Sequence, residues 1–518
     1  MCTVRGAPLI VKLCDRRDQP WRPLRCRELL YRVEVRPLAS ALGPPAGVLI
    51  EITSRCNLTC RMCPLTTGRT PSSAQPGPMS GQLWRAVVPF AKQAGRANIG
   101  GYGEPLMNPR CLDYLRELDR EGILTTLTTD GTLVTPAIAA GLAALAHLDG
   151  VNVSIDSPDP AVYKLIRGGP VEKALAGVGH LAGVLKASQV TVSSVMMRTN
   201  IESLMAFPAR LVELGVRTYV LQGLVDYTPD LEPEETRWRD GLAADVARLR
   251  EACDRAGLNL VFELPERVAT EMRDPADVLR ARAGRPRLSE TDTKQCFAPW
   301  DVPVIDKDGR VFPCCYALSN ATAIMGDLNE ASAKDIWQGG RFEAFRAGIV
   351  DGRTMPDICR SCTVVPTGPH PLRLYSVRLL PAQSTLEGGV EMCLAVQNAG
   401  ASAWTANDKI LIGTANPRDG HSAYYDPTWI GRNRICSFSE AAIPPGGTAT
   451  FRFRIAPSER VSEESFQLVV EHQCWVPGTR FEVRGGVTEH GTSATGDRKG
   501  PQSTGLRAMI RRMAGPRT

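Results

Sequence analysis

Histidine is scarce, with six in 518 residues and no two of them clustered, so a multi-histidine metal centre is not expected. Long apolar runs are also missing. No stretch approaches about 18 apolar residues, so no membrane span is expected. The opening segment, Met1 to Pro20, carries Arg5, Lys12, Asp15, Arg16, Arg17 and Asp18 without an apolar h-region, and does not read as a signal peptide. Charge of one sign is not in large excess: a net charge of +6 gives no argument for a nucleic-acid partner. These absences point to a cytoplasmic protein.

Cysteine is abundant by contrast. Sixteen in a chain this long do not read as a disulfide scaffold, and in a cytosolic chain such clusters read as metal-binding. The sharpest cluster is Cys56-Asn57-Leu58-Thr59-Cys60-Arg61-Met62-Cys63, which follows the apolar run Val48 to Thr53. Three thiolates on one loop after a strand can surround a single centre, and soft thiolates select iron–sulfur clusters, zinc or Cu(I). A structural zinc site takes four ligands, and no fourth Cys or His lies nearby. Cys2, Cys14 and Cys26 lack metal-like spacing and read as ordinary thiols.

The length and 43% hydrophobic content suit roughly two to four globular domains. Residues 1–46 form a basic, proline-punctuated N-terminal extension, with a short helix or strand over Arg25 to Val35. Over residues 47–265, strand-like runs alternate with helical patterns, as in a parallel α/β sheet. Strands are expected at Val48–Thr53, Asn98–Gly101, Leu124–Thr128, Val151–Ile155, Val190–Met196 and Val216–Leu221. Helices are expected at Gly81–Ala94, Cys111–Glu121, Pro136–Ala146, Val171–Ala187 and Ile201–Leu214. Residues 266–293 read as a linker, 294–365 as a cysteine-bearing module, and 366–373 as a second linker. Short alternating strands then fill residues 374–486, and a polar, basic tail over 487–518 reads as disordered. Its end, Leu506 to Met513, is basic and amphipathic.

The cysteine loop resembles the cluster-binding loop of the radical S-adenosylmethionine (radical SAM) enzymes, and later motifs follow in that family's order. Gly100-Gly101-Tyr102-Gly103-Glu104-Pro105 resembles its GGEP-type turn, Thr128-Thr129-Asp130-Gly131-Thr132 its Thr-Asn-Gly-Thr turn with aspartate in place of asparagine, and Val153-Ser154-Ile155-Asp156-Ser157 its fourth-strand motif. The resemblance implies a partial (β/α)6 TIM barrel with its chemistry at the C-terminal strand ends. It also implies that Cys56, Cys60 and Cys63 hold a [4Fe–4S] cluster whose open iron chelates SAM. Gly103, Glu104 and Pro105 would hold the SAM amino group, Ser154 its ribose or carboxylate, and Arg167 its carboxylate. The stretch from Gln222 to Asp226 is where the family's backbone touches adenine, too generic here for a residue assignment.

Cys296, the hairpin Ile305 to Cys315, and Cys359-Arg360-Ser361-Cys362 resemble the shortened SPASM, or twitch, module. That likeness implies one auxiliary [4Fe–4S] cluster on Cys296, Cys314, Cys359 and Cys362, with Cys315 competing with Cys314 and a four-thiolate zinc site as the rival. Asn398-Ala399-Gly400, Trp404, Ile443 to Gly446 and Trp475 resemble the four-tryptophan Ig-like sandwich, which could engage a protein or glycan.

The expected activity is therefore reductive cleavage of SAM to a 5′-deoxyadenosyl radical and hydrogen abstraction from substrate, served by a low-potential donor such as flavodoxin or ferredoxin. With one auxiliary cluster and no recognisable leader-binding segment, the expectation leans to dehydrogenation of a sugar, aminocyclitol or related small molecule, an oxidoreductase reaction. A peptide maturase is the alternative, and a non-catalytic binding protein acting through its β-sandwich is the third reading. No substrate-side catalytic residue is identifiable, although Tyr102, Asp226 and Tyr316 are polar groups expected near the barrel mouth.

Overall fold

In the computed structural model, described continuously over residues 43–224, 242–262 and 293–362 and in shorter segments between 9 and 37 and between 365 and 489, the chain divides into two units. The first spans Pro44–Leu374. Its strands are β1 (Val48–Ile50), β2 (Arg96–Ile99), β3 (Leu124–Thr129), β4 (Leu148–Ser154), β5 (Val190–Met196), β6 (Thr218–Gly223), β7 (Asn259–Phe262), β8 (Val304–Ile305), β9 (Arg310–Phe312) and β10 (Gly326–Asp327). They form one sheet in the order β10-β9-β8-β1-β2-β3-β4-β5-β6-β7. From β1 to β7 every neighbour is parallel, and β8 also runs parallel to β1. Only the β8–β9–β10 meander is antiparallel.

The expected six parallel strands are thus present in sequential order, and two additions modify the partial (β/α)6 barrel. A seventh parallel strand, β7, follows the sixth. On the other edge, the cysteine-bearing hairpin β8–β9 continues the same sheet by pairing Val304 with Leu49 and Ile305 with Ile50. Its pairing could not be read from the local pattern, since two-residue strands carry no periodicity.

Helices α1 (Gly81–Ala94), α2 (Cys111–Arg120), α3 (Pro136–Ala143), α4 (Pro160–Arg167) and α5 (Val171–Ala182) cover the sheet. Their ends follow from capping chemistry. Ser80 Oγ accepts the Leu83 N–H at the start of α1, and Gly95 closes it with φ 73°. Asp159 caps α4 by accepting from the N–H groups of Ala161 and Val162 at 2.9 Å. The expected helix over Ile201–Leu214 is instead two pieces, α6 (Ile201–Leu204) and α7 (Phe207–Glu213). Pro208 explains the break: it has no N–H to continue a helix and suits the first turn of a new one. Helix α8 (Leu242–Ala256) precedes β7.

The second unit gathers Tyr375–Glu471 and Trp475–Thr518 with Met1–Gly43. It is built of antiparallel strands. The largest sheet runs Leu9–Val11, Leu29–Pro37, Phe481–Glu489, Ser462–Val470, Ile410–Asn416, Arg434–Ser437, with Cys474–Trp475 on the side of Ser462–Val470. A smaller sheet pairs Val390–Asn398 with Val377–Leu379, Gln383–Leu386 and Thr448–Ile455. Leu29–Pro37 lies in what the sequence presents as an N-terminal extension, yet it pairs along its length with Phe481–Glu489, which also runs past the expected tail boundary at residue 487. Residues beyond 489, including Leu506 to Met513, lie outside the described residues, as do 263–292 and most of 366–373.

Within this unit Trp404 is fully buried against Phe438, a core role. Trp475 has the guanidinium groups of Arg418 and Arg434 over its ring at 5.0 and 5.2 Å. No helix among the described residues is long and apolar enough to cross a membrane.

Packing beneath the first unit's sheet centres on Trp84 of α1, which stacks on Tyr114 of α2 with centroids 4.1 Å apart and donates its indole N–H to Glu117 at 2.8 Å. Trp84→Ala removes a buried ring and leaves a cavity, and should cost about 3–5 kcal/mol in urea denaturation of the full chain. A loss below about 1 kcal/mol would show that α1 and α2 do not depend on this contact.

Candidate functional site

The C-terminal ends of β1 to β6 open on one cavity of about 390 Å³. Each strand end contributes: Cys56, Cys60 and Cys63 after β1, Gly101 to Glu104 after β2, Thr128 to Asp130 at β3, Ser154 at β4, Val195 at β5, and Gln222 to Leu224 at β6. Arg167, from the end of α4, and Cys315, from the cysteine-bearing module, complete the wall. The structure therefore brings together every cysteine of the first loop with Gly103, Glu104, Ser154 and Arg167. Pro105 is buried and opens a short 3-10 turn over Pro105–Met107, but it is not part of the lining. Tyr102 lines the cavity, Tyr316 does not, and Asp226 lies outside the described residues.

Backbone contacts fix the cysteine loop. Thr59 and Arg61 donate their N–H groups to the carbonyls of Arg167 and Ile166 at 3.1 and 2.9 Å, tying the loop to the end of α4. The glycine-rich turn packs against the residues just before the loop, with the Glu104 N–H donating to Arg55 O at 2.9 Å. At Gly103 a Cβ would collide with the carbonyl of Thr53, so only glycine permits that approach. At Gly177 on α5 a Cβ would meet the carbonyl of Gly131, so a second glycine lets the helix support the Thr-Asp-Gly-Thr turn.

Glu104 is buried and well supplied with donors. Its Oε1 accepts from Thr129 Oγ1 at 2.7 Å and Leu106 N–H at 3.1 Å, and its Oε2 from Asp130 N–H at 2.7 Å. Burial, then the nearby Asp130 carboxylate, raise its pKa to about 8. Thr129 was not marked by the sequence as a functional residue. Its place in a strand-end turn beside the glycine-rich motif was the available signal.

Arg167 is paired within the fold. Its Nε donates to Asp156 Oδ2 at 2.6 Å, both groups lie deep in the fold, and the pairing with Asp156 holds the guanidinium pKa above its ordinary value against the effect of burial. Asp156 also accepts the Val195 N–H at 2.8 Å, and Asn200 Nδ2 donates to its backbone carbonyl. Arg167 is thus neither a surface ion pair nor a wholly uncommitted carboxylate clamp. It is a buried ion pair whose other edge faces the cavity wall.

Burial pushes the thiol of Cys56 up to about 12 and that of Cys60 up to about 11, with Arg167 opposing the shift at Cys60. The thiol of Cys63 is raised for the same reason. Such thiols hold their protons until a metal centre displaces them, because thiolate is the ligand form.

The second cysteine set lies around the β8–β9 hairpin. Cys296, Cys314, Cys359 and Cys362 are close enough that charge on one disfavours charge on its neighbours, and burial is the larger cause raising the thiol pKa of the first three. Cys314 packs against the hydrophobic cluster of Val304, Phe312, Ala317, Leu318 and Ala323, whereas Cys315 is exposed and lines the cavity. His370 Nε2 donates to Cys296 O at 2.9 Å, and burial lowers its pKa to about 4, so it is neutral. Among the described residues, no three His, Cys, Asp or Glu side chains converge tightly enough to hold one metal ion.

Residues 50–207 match the Radical SAM superfamily, and residues 296–363 match SPASM, an iron–sulfur cluster-binding domain. The chain carries both domains. Together they imply a SAM-binding [4Fe–4S] cluster, auxiliary iron–sulfur ligation and SAM itself. The thiol sets and the glycine approach at the cavity wall fit those groups.

The chain is 27% identical over 338 residues to a tungsten-containing aldehyde ferredoxin oxidoreductase cofactor-modifying protein of Pyrococcus furiosus, covering 61% of this chain and 86% of that one. It is 28% identical over 335 residues to a PqqA peptide cyclase of Streptomyces rochei, covering 62% and 82%. Among solved structures it is similar to Streptococcus suis SuiB bound to precursor peptide SuiA, with 16% identity, coverage of 62% and 70%, and a TM-score of 0.47.

Asp156→Asn would leave Arg167 buried without a counter-charge. We expect a loss of about 3–5 kcal/mol in urea denaturation, the range for breaking one partner of a buried pair. A change below about 1 kcal/mol would mean that Arg167 finds solvent or another acceptor.

Proposed function

We propose that the protein is a radical SAM enzyme that modifies a peptide, with Cys56, Cys60 and Cys63 holding the SAM-binding cluster and Cys296, Cys314, Cys359 and Cys362 a single auxiliary [4Fe–4S] cluster. The observation that carries the peptide reading is the match to a PqqA peptide cyclase over 82% of that protein's length. It favours this reading over the leaning to sugar or aminocyclitol dehydrogenation. That leaning rested on the single auxiliary cluster and on the lack of a recognisable leader-binding segment in the sequence. The auxiliary thiols do not separate the two reactions either. Joining two side chains and oxidising an alcohol each remove two hydrogens overall.

When bound, the first cluster would supply the electron for reductive cleavage of SAM, the source of the radical that would take a hydrogen atom from substrate. The chain's own residues bind, orient and exclude water. Gly103 presents its backbone at the cavity wall because it has no side chain, and Glu104 offers a carboxylate for the SAM amino group. Ser154 supplies a hydroxyl at the end of β4 for the ribose or carboxylate. Arg167, fixed by Asp156, keeps positive potential beside Cys60 and towards the SAM carboxylate. Cys314 suits ligation because it packs against the hydrophobic cluster on the side of the auxiliary thiols, whereas Cys315 lines the cavity.

A low-potential flavodoxin or ferredoxin would deliver the electron in the cytoplasm. The antiparallel C-terminal unit, read as Ig-like, would engage a protein or glycan partner. Its support is the set of antiparallel sheets, with Trp404 buried on the short strand that pairs with Ala442–Ile443.

The test is 5′-deoxyadenosine release by anaerobically reconstituted, dithionite-reduced protein, offered either a peptide library or a panel of sugars and aminocyclitols. We expect stimulation by peptides, loss of two hydrogens from the peptide that reacts, and no release from Cys56→Ala. Stimulation by sugars or aminocyclitols with no response to peptides would contradict the peptide reading.

A further inference from the structure

Asp130 stands where the resembling turn has asparagine, and its surroundings give the extra charge a physical consequence. It lines the cavity and is only 6% exposed. Its Oδ1 is occupied, accepting from the Thr132 N–H at 2.8 Å and the Thr132 hydroxyl at 2.7 Å. Its Oδ2 is buried and has no hydrogen-bond partner. A buried carboxylate oxygen without a donor is costly, more so than a neutral carbonyl in the same place.

Glu104 shares the wall. Protein donors occupy Oε1 twice and Oε2 once, the last being the N–H of Asp130 itself. That leaves room for one further donor on Glu104 Oε2, beside the residue whose Oδ2 is unsatisfied. Arg167, a cation of the same cavity, gives its Nε to Asp156. Two carboxylates therefore adjoin in one cavity, and what they lack is a compact cation with several N–H donors.

We propose that Asp130 and Glu104 form a two-carboxylate receptor for a primary ammonium group, and that this group is the amino end of SAM; the inference rests on the SAM reading of the cavity. An ammonium has three donors and a full charge, so it can bond both carboxylates at once. An amide at position 130 that kept its oxygen on Thr132 would put its NH2, a donor, in the place of Oδ2 and could not accept from the ammonium there. The same chemistry could come from an amine of the substrate, and the orphan oxygen could instead be met by Tyr163, whose hydroxyl is also buried without a partner within the field of Asp130.

The experiment uses the anaerobically reconstituted full chain without reductant, so that SAM is not cleaved. Equilibrium dialysis measures affinity for SAM and for 5′-methylthioadenosine, which keeps the adenosine and sulfur but lacks the amino-acid end. Asp130→Asn and Asp130→Ser should each weaken SAM about tenfold or more and leave methylthioadenosine unchanged, while Tyr163→Phe moves neither. Unchanged SAM affinity in the Asp130 variants overturns the proposal and leaves a substrate amine as the cation. Equal weakening of both ligands by the Asp130 variants and Tyr163→Phe also overturns it, in favour of the tyrosine pair. If neither Asp130 variant loads the wild-type iron content, the residue is structural and the proposal fails. Wild-type protein that does not retain SAM would overturn the SAM reading itself, whereas wild-type binding that the variants leave unmoved overturns this inference alone.

Discussion

The site depends on one close approach of backbone to backbone. The glycine-rich turn after the second strand lies against Thr53 and Arg55, which lead into the cysteine loop, and the Glu104 N–H bonds the Arg55 carbonyl at 2.9 Å. Gly103 has no Cβ, and any side chain there would displace the Thr53 carbonyl. That contact sets the distance between three thiols and the carboxylate of Glu104. The loop is pinned on its other side by bonds to the carbonyls of Ile166 and Arg167, which tie the cysteines to the end of α4. Arg167 in turn is held by Asp156. A chain of short polar contacts thus runs from β2 through the loop to β4 and β5.

Electrostatics explain why this wall suits charged cofactors. Glu51, Glu104 and Asp156 are buried on or near it, and burial raises the pKa of Glu51 to about 7 with Asp306 adding to the effect of desolvation. The thiols are likewise held in their protonated form. Such a pocket is expensive to ionise when it is empty of cations, and loading iron and a cationic ligand relieves that cost. Metal binding and folding are linked for this reason. The hairpin β8–β9 carries the second module onto the same sheet, because its pairing with β1 puts the strand before the first cysteine loop and the strand before Cys314 in one sheet.

Much of this was legible in the sequence because motif residues are local. The strand Val190–Met196 and the helix Gly81–Ala94 have the expected bounds, the latter because Ser80 and Gly95 are clear caps. The two cysteine sets and the glycine-rich turn were readable for the same reason. What could not be read depends on distant partners. Leu29–Pro37 is a strand because Phe481–Glu489 lies beside it. The Arg167–Asp156 pair joins residues of two motifs, of which Arg167 was expected at the SAM carboxylate and Asp156 carried no assigned role. Cys314 and Cys315 are neighbours in sequence and differ only in which way the chain turns after β9. Pro208 was visible, but its helix-breaking effect lost out to the apolar periodicity around it.

The central claim is that two separate thiol sets hold two [4Fe–4S] clusters in one chain. Counting iron and sulfide per chain after anaerobic reconstitution, in wild type and in a Cys296→Ala, Cys359→Ala double variant, tests it most directly. The account predicts about eight irons falling to about four. About four in both proteins would contradict it, leaving the first loop as the sole cluster site and the second set as structural thiols or another metal.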